Sequence, residues 1–362
     1  MAGTVVILGA GATKSSGGPL TKEILPGLIN RQPDAANPSR FAELEQFLAE
    51  QFHVQKAMTR EDEYPALPLV MSLLDVSLDR RQPFQGSWDV AKIAKVRQAV
   101  ELGIFELLES KLQTAPTNTH WELLTHLYPA PAMPTVISLN YDLIVDTAMM
   151  YISQQPPGEG RFPDYCCDIQ SNFYRDEPAR YGKLLKLHGS LNWLYCNNCH
   201  RLEIGASESR RYINVLGRVL ANADLNLDRL YLENGNPCPS CKKELRPLLI
   251  APTHLKDYRN PHLSQVWYHA ERALREASRV IFIGYSLPDD DLEVIYLLKR
   301  GLGHLRADQI TVVELDDQKR VLKENPVGRR YRALFGDVDW YPGGLTFDWI
   351  NQQGTKAIAV SA

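Results

Sequence analysis

Residues 4–13 read TVVILGAGAT, an apolar β-branched run that ends in a glycine-rich turn. The run predicts a buried strand, and its glycines let the backbone turn sharply and approach a ligand closely. We therefore expect residues 9–13 to follow a strand of a parallel sheet and to present exposed amides to a phosphate. Lys14 stands where the full dinucleotide pattern G-x-G-x-x-G has its last glycine. The turn alone does not distinguish a phosphate site from a plain turn.

Short apolar runs alternate with helical patterns along much of the remaining chain. Strands are predicted at 136–139, 184–187, 248–251, 280–284 and 310–315, and helices at 20–29, 260–274 and 289–302. Buried strands that alternate with helices imply a parallel sheet covered on both faces. The predicted fold class is therefore α/β, with a Rossmann-like parallel sheet.

Two stretches interrupt this alternation. Residues 40–128 carry apolar side chains at helical spacing and predict an inserted helical module. Residues 195–245 carry two cysteine pairs and predict a small zinc-binding module. We expect one catalytic domain over 1–345 that contains both modules, followed by a C-terminal tail over 346–362.

The cysteine pairs have metal-ligand spacing. Each pair has the form C-x-x-C, and four thiolates suit tetrahedral Zn²⁺. The predicted ligands are Cys196, Cys199, Cys238 and Cys241. Four protein ligands close the coordination sphere, so we expect a structural rather than a catalytic ion. Cys166 and Cys167 are predicted to be buried apolar residues.

Polar side chains follow two of the predicted strands. Asn140 and Asp142 come after the strand at 136–139, and His188 comes after the strand at 184–187. Ligands of open parallel sheets bind beyond the carboxyl ends of the strands, and a histidine there suits general-base work near neutral pH. Each residue also has a structural interpretation: helix capping for Asn140 and Asp142, and a core position for His188. Two polar strand ends in one sheet favour a shared site.

Two later strand ends continue this pattern. Gly284 and Ser286 follow the strand at 280–284, and Glu314 stands near the end of the strand at 310–315. A carboxylate in such a position can accept hydrogen bonds from ribose hydroxyls. Each of these residues could equally belong to a solvated loop.

Composition narrows the class of protein. Of 362 residues, 44% are hydrophobic and 23% are charged, and the net charge is -3. These values suit an ordinary globular protein without the basic footprint of a nucleic-acid binder, so no direct nucleic-acid binding is expected. No apolar run is long enough to span a bilayer, and the first residues lack a secretory pattern. We expect a cytoplasmic protein that does not bind membranes.

Taken in order, these features resemble the sirtuin family. Its pattern is a G-A-G-x-[ST] turn, a Q/L-N-x-D strand end, an H-G pair, four zinc cysteines and a G-[TY]-S-L turn. The matching residues are 9–13, 139–142, 188–189, the four cysteines and 284–287. Each motif alone is unspecific, whereas the ordered set is highly specific and spans residues 4–316.

The resemblance implies a domain that binds NAD and carries a structural zinc ion. The first turn would hold the NAD phosphates, and Asn140 and Asp142 would flank the nicotinamide ribose. His188 would be the base that acts on a ribose hydroxyl or on water, and Ser286 and Glu314 would lie toward the adenosine. The implied NAD-binding residues are Gly9, Ala10, Gly11, Ala12, Thr13, Gly284, Ser286 and Glu314, and the implied catalytic residues are Asn140, Asp142 and His188.

Departures from the deacylases of that family bear on the reaction. Residues 17–22 read GGPLTK where deacylating sirtuins carry G-I-P-x-F-R-G. Residues 245–256 read LRPLLIAPTHLK and lack the F-G-E segment that pairs with an acyl-lysine peptide. With the large helical insertion, this resembles the sirtuin-like proteins of bacterial anti-phage systems. Those proteins hydrolyse NAD to nicotinamide and ADP-ribose, often in large assemblies beside a HerA-like ATPase or an Argonaute.

The first hypothesis is therefore an NAD⁺ hydrolase of anti-phage defence. The resemblance implies a homo-oligomer and a HerA-like ATPase or an Argonaute as partner. An NAD-dependent protein deacylase or ADP-ribosyltransferase is the second hypothesis, which the missing peptide-binding segment disfavours. A non-catalytic ADP-ribose or nucleotide sensor is the third, and such a protein would need neither Asn140 nor His188.

Overall fold

The computed structural model describes residues 3–30, 41–54, 63–112, 119–128, 132–153, 163–170, 181–204, 237–243 and 245–360. The chain forms two compact units. One comprises Met1–Gly18, Leu112–Leu249 and Tyr258–Ala362, and the other comprises Pro19–Lys111 and Ile250–Asp257. In the described residues, both sheets belong to the first unit, and the second unit is helical.

The bounds of the elements are as follows. The strands are β1 (Thr4–Leu8), β2 (Thr135–Ser138), β3 (Ile169–Gln170), β4 (Lys183–Lys186), β5 (Gly189–Tyr195), β6 (Leu202–Ile204), β7 (Arg246–Leu249), β8 (Arg279–Ile283), β9 (Ile310–Val313) and β10 (Asp339–Tyr341). The helices are α1 (Thr21–Ile29), α2 (Ala42–Phe52), α3 (Leu67–Arg80), α4 (Val90–Leu112), α5 (Thr119–Leu127), α6 (Ile144–Ser153), α7 (Pro261–Glu276), α8 (Leu292–Gly301), α9 (Pro326–Phe335) and α10 (Phe347–Val360).

The larger sheet has six strands in the order β10-β9-β8-β1-β2-β4, and all of its neighbours pair in parallel. This confirms the predicted α/β class. Leu8 is in register with Ser138, and Ser138 is in register with Lys186. The loops that follow β1, β2 and β4 therefore begin at the same level of one sheet edge, where ligands of such folds bind.

The smaller sheet has the order β3-β6-β5-β7. β7 overlaps the strand predicted at 248–251, and it pairs antiparallel with β5 rather than joining the parallel sheet. Gly189 makes this pairing possible. Its φ is +78°, and a Cβ added there would lie 2.0 Å from the carbonyl oxygen of Leu248. The residue directly after His188 must therefore be glycine for β5 and β7 to approach.

Local sequence explains two helices of the first unit. α7 begins at Pro261 after Asn260, whose side chain accepts a hydrogen bond from the His262 amide at 3.0 Å, as the Asn-Pro pair predicts. α10 covers most of the predicted C-terminal tail. It packs against α5 and buries Trp349 and Ile350.

The second unit has an aromatic core of its own. Phe47 lies edge-on to Phe84 and Trp88, with centroid distances of 5.4 Å and 5.1 Å. The indole of Trp88 donates to a carboxylate oxygen of Glu50 at 2.7 Å, which satisfies its buried N–H. The sequence predicts a helical module over 40–128, whereas α5 lies in the first unit and packs there against α6 and α10.

Within the described ranges, the structure contains no helix with both the length and the apolar character that a membrane crossing requires.

Candidate active site

The turn after β1 and the turn after β8 pack backbone against backbone. The Gly9 amide donates to the carbonyl of Ile283 at 3.0 Å, and the Gly11 amide donates to the carbonyl of Gly284 at 2.8 Å. Gly284 has a φ of +59°, and a Cβ there would lie 2.2 Å from the nitrogen of Ala12. Contact between the two turns therefore requires glycine at these positions, whatever ligand binds beside them.

These contacts correct one expectation about the first turn. The amides of Gly9 and Gly11 are engaged as described, the Ala12 amide donates to the carbonyl of Gly9 at 2.9 Å, and the Thr13 hydroxyl donates to the carbonyl of Ala10 at 3.0 Å. The expectation of exposed amides is therefore wrong for Gly9, Gly11 and Ala12, because each meets a protein carbonyl. Ala10 and Gly11 are partly exposed and form the accessible surface of the turn.

Asn140 connects the end of β2 to the first turn. Its side-chain amide donates to the carbonyl of Gly9 at 2.9 Å, and its backbone amide meets the hydroxyl of Ser138 at 3.2 Å. The capping interpretation applies instead to Asp142, whose carboxylate accepts from the amide of Ile144 at 3.0 Å, where α6 begins. Asn140 is held at the sheet edge by tertiary contacts.

A buried lysine supports this loop from below. Lys186, the last residue of β4, donates to the carbonyl of Asp142 at 2.6 Å and to the carboxylate of Asp146 at 3.0 Å. The side chains of Lys186 and Asp146 have no exposed surface. Burial raises the pKa of Asp142, and the Lys186 cation opposes that rise.

His188 follows β4, at the strand end where the sequence places it, and its side chain is buried. Its Nδ1 lies 3.2 Å from the carbonyl oxygen of Leu139. Because a carbonyl only accepts, we assign the ring proton to Nδ1, which leaves Nε2 as the basic nitrogen. Nε2 lies 3.6 Å from Oδ1 of Asp291, and both side chains are 7% exposed.

Aromatic rings flank His188. The ring of Tyr258 stacks at a centroid distance of 6.2 Å and an interplanar angle of 29°, and the ring of Tyr141 lies 6.4 Å away. Trp267 packs edge-on against Tyr258 and donates its indole N–H to the carbonyl of Leu187 at 3.0 Å. Burial, reinforced by the Asp291 charge, raises the pKa of Tyr258, so its hydroxyl stays protonated.

Ser286 follows β8, as predicted, and Glu314 follows the neighbouring strand β9, which ends at Val313 rather than at the predicted residue 315. Arg330 of α9 donates to the carbonyl of Ser286 at 2.8 Å. Burial raises the pKa of Glu314 to about 7, although the Arg330 cation acts in the opposite direction. This end of the edge therefore combines a carboxyl that titrates near neutrality with a fixed guanidinium.

Four residues of this region escape prediction from the sequence: Lys186, Tyr258, Asp291 and Arg330. Asp291 closes the run Asp289–Asp291, which reads as a solvated loop, yet Asp289 is exposed and Asp291 is buried. Lys186 reads as an ordinary strand-end cation. Its role depends on burial, because a buried lysine needs a buried counter-charge such as Asp146. The sequence alone does not show that Lys186 is buried.

The four predicted zinc ligands converge. Their sulfur atoms all lie within 4.8 Å of one another, with 3.4 Å between Cys196 and Cys241 and 3.5 Å between Cys199 and Cys238. Tetrahedral Zn²⁺ with bonds of about 2.3 Å separates its sulfurs by roughly 3.8 Å, so the cluster fits zinc. Residues 205–236, which the predicted module includes, lie outside the described residues.

Each cysteine pair is held by a similar turn. The His200 amide donates to the carbonyl of Cys196 at 2.9 Å, and the Lys242 amide donates to the carbonyl of Cys238 at 2.9 Å. His200 and Lys242 both adopt positive φ, at 59° and 64°. The two turns therefore bring the four cysteine sulfurs close together.

Comparison with solved structures finds Sir2 proteins similar to this chain. A Sir2 homologue in complex with NAD has a TM-score of 0.47 and 15% identity, and the match covers 99% of this chain and 90% of that one. A second structure, reported as a basis for the mechanism and regulation of Sir2 enzymes, has a TM-score of 0.44 and 14% identity, and the match covers 98% of this chain and 94% of that one. A Sir2 protein bound to an acetylated peptide has a TM-score of 0.42 and 13% identity, covering 98% and 93%. No protein-family model and no curated protein matches the chain.

Proposed function

We propose that this chain is a sirtuin-like enzyme that binds NAD and hydrolyses its nicotinamide–ribose bond to nicotinamide and ADP-ribose. One observation carries the proposal. Asn140 and His188 follow the adjacent strands β2 and β4, and Asn140 is bonded to the glycine turn after β1. An amide, a histidine base and a nucleotide-type turn thus meet at the edge where α/β sheets bind their ligands.

The chemistry requires few protein groups. As the glycosidic bond breaks, its electron pair goes to the nicotinamide nitrogen and positive charge develops on the ribose. Asn140 would orient the ribose or the attacking water. Water adds to the anomeric carbon, and the proton it loses passes to Nε2 of His188. A general base contributes about 10²–10⁴-fold to such a step.

The rest of NAD would extend along the same edge. The partly exposed surface at Ala10 and Gly11 would face the pyrophosphate, while Gly9, Ala12 and Thr13 would shape the turn behind it. Ser286 and Glu314 would lie toward the adenosine. Asp142 would act by fixing the loop of Asn140, since its carboxylate caps α6.

The biological setting belongs to the same proposal. The missing F-G-E segment in 245–256 and the helical module favour an NAD hydrolase of anti-phage defence over a deacylase. By the same resemblance, we propose a cytoplasmic homo-oligomer that works beside a HerA-like ATPase or an Argonaute.

The test is turnover of NAD without peptide. The purified chain is incubated with NAD, and nicotinamide and ADP-ribose are separated by chromatography. We expect both products from the wild type, and a loss of at least about 100-fold in Asn140→Ala and His188→Ala. His254→Ala, which removes an exposed histidine, is the matched control and should keep wild-type turnover.

Other outcomes would contradict the proposal. O-acetyl-ADP-ribose formed only when an acetylated peptide is added would identify a deacylase. NAD binding in calorimetry without any product would favour the sensor. Turnover that survives His188→Ala would remove His188 from the mechanism.

A further inference from the structure

Asp291 occupies the N-cap position of α8 but does not use its carboxylate there. No capping hydrogen bond from its side chain is found within the described residues. Instead, Oδ2 accepts the hydroxyl of Tyr285 at 3.0 Å, and Oδ1 lies 3.6 Å from Nε2 of His188. A capping aspartate stabilises a helix by accepting a hydrogen bond from an amide of its first turn. The chain forgoes that contact and holds the carboxylate against the histidine.

The charge of Asp291 acts on one protonation state of His188. With Nδ1–H directed at the carbonyl of Leu139, a second proton can enter only at Nε2, the nitrogen that faces Asp291. Both side chains are buried, so solvent screens their attraction weakly. The carboxylate therefore stabilises the imidazolium relative to the neutral ring.

We infer that Asp291 is a positioning residue that stabilises the protonated form of His188 produced when the histidine takes a proton from the reacting water. The inference rests on the proposed function for its role in turnover, but the pairing itself is independent of any substrate. Tyr285 orients the carboxylate through Oδ2 and leaves Oδ1 toward the histidine.

Other titratable groups surround His188. Tyr141 of the loop after β2 and Tyr258, which precedes α7, face its ring. Asp290 and Glu293 lie close enough to act on the charge state of Tyr258. Burial holds the Tyr258 hydroxyl neutral, whereas the Asp291 carboxylate lies 3.6 Å from Nε2.

The direct test is the pKa of His188 measured by NMR in chain labelled at histidine, without NAD. His188→Gln identifies the signal. An opposite charge within about 4–6 Å shifts a pKa by about 1–3 units, so Asp291→Asn should lower the pKa of His188 by at least about one unit. Asp289→Asn, which removes an exposed carboxylate of the same run, should leave it unchanged, and Asp291→Glu should restore most of the shift.

The second readout is the pH profile of NAD hydrolysis. In Asp291→Asn, the acidic limb of kcat should move to lower pH by the same amount as the NMR pKa, while KM changes less than twofold. The inference would be overturned if Asp291→Asn left the pKa of His188 unchanged. It would also be overturned if the variant lost kcat while the acidic limb of its pH profile stayed in place. If Asp291→Asn does not fold, Asp291→Ser and Asp291→Glu form the charge-removing and charge-keeping pair.

The two proposals fail separately. If the wild type does not hydrolyse NAD, the proposed function fails, while the NMR titration still decides whether Asp291 stabilises the charged histidine. If NAD is hydrolysed but the pKa of His188 is the same in wild type and Asp291→Asn, only the positioning role fails.

Discussion

Lys186 and Asp146 form an ion pair with an Nζ–Oδ2 distance of 3.0 Å, and neither side chain has any exposed surface. Lys186 also donates to the carbonyl of Asp142, and the Tyr165 hydroxyl donates to the other carboxylate oxygen of Asp146. The pair thus joins β4, α6 and the loop of Asn140 beneath the proposed site. Such a pair is costly to break because one buried charge is left without its partner.

Lys186→Met should therefore destabilise the chain by about 3–5 kcal/mol, since it leaves the Asp146 carboxylate uncompensated. The double variant Lys186→Met/Asp146→Asn should recover much of that loss, because asparagine still accepts from Tyr165. Lys183→Met, in the same strand but exposed, is the control and should stay within about 0.5 kcal/mol of wild type. Urea unfolding gives the three values. If the double variant is no more stable than Lys186→Met, the broken ion pair is not the cause of the lost stability.

Gly284→Ala tests the contact between the two glycine turns. The variant combines a positive φ with a Cβ 2.2 Å from the nitrogen of Ala12, so the turns must separate. Gly86 is a matched control, because its φ is +86° and nothing lies within 4 Å of an added Cβ. Gly86→Ala should cost about 1–2 kcal/mol from backbone strain alone. Gly284→Ala should cost about 1–3 kcal/mol more and weaken NAD binding in calorimetry. Equal losses in the two variants would contradict the packing argument.

The sequence predicts the parallel sheet and its strand ends because their signals are local. Runs such as residues 4–8 are apolar and β-branched and can only be buried, and polar residues follow them at once. In a parallel sheet the carboxyl ends of the strands share one edge, so the sequence alone predicts that Asn140 and His188 lie at the same edge. The four zinc cysteines are predictable for the same reason, since C-x-x-C spacing is itself the ligand geometry.

What the sequence does not predict depends on contacts between distant segments. The amides of the first turn are used by Ile283 and Gly284, more than 270 residues away in the chain, so their exposure could not be inferred locally. Asp289 and Asp291 look alike in the sequence. Only the start of α8 decides that the side chain of Asp291 is buried while that of Asp289 is exposed. β7 has strand character, but its pairing with β5 is decided by the missing side chain of Gly189.

The cysteine cluster predicts about one zinc ion per chain, measurable by a metal-binding dye after denaturation. Cys238→Ser should lose the metal and lower the melting temperature, because three thiolates no longer close the coordination sphere. Cys167→Ser, a buried cysteine outside the cluster, is the control and should retain zinc. Four thiolates would fill the positions of a tetrahedral ion, so zinc should influence the proposed NAD turnover only through stability. A zinc-free variant with unchanged stability would contradict the structural role.

Glu314 predicts how stability depends on pH. Burial raises the pKa of its carboxyl from 4.5 to about 7 in the folded chain. Between these two values the unfolded chain releases the proton while the folded chain keeps it, so this group's contribution to the free energy of unfolding falls as pH rises. The rise from 4.5 to about 7 sets the full change at roughly 3.5 kcal/mol, because one pKa unit corresponds to about 1.4 kcal/mol, and the change is complete above about pH 7.

Glu314→Gln removes that titration. The variant should gain stability relative to wild type as pH rises from about 4.5 to 8, and urea unfolding at several pH values measures the difference. Glu324→Gln, which changes an exposed carboxylate, should follow the wild-type curve. If Glu314→Gln also follows wild type, Glu314 is already charged at low pH and Arg330 compensates its burial. A carboxylate in that state would be a permanent acceptor for ribose hydroxyls, whereas a carboxyl that titrates near 7 would make NAD affinity depend on pH in the neutral range.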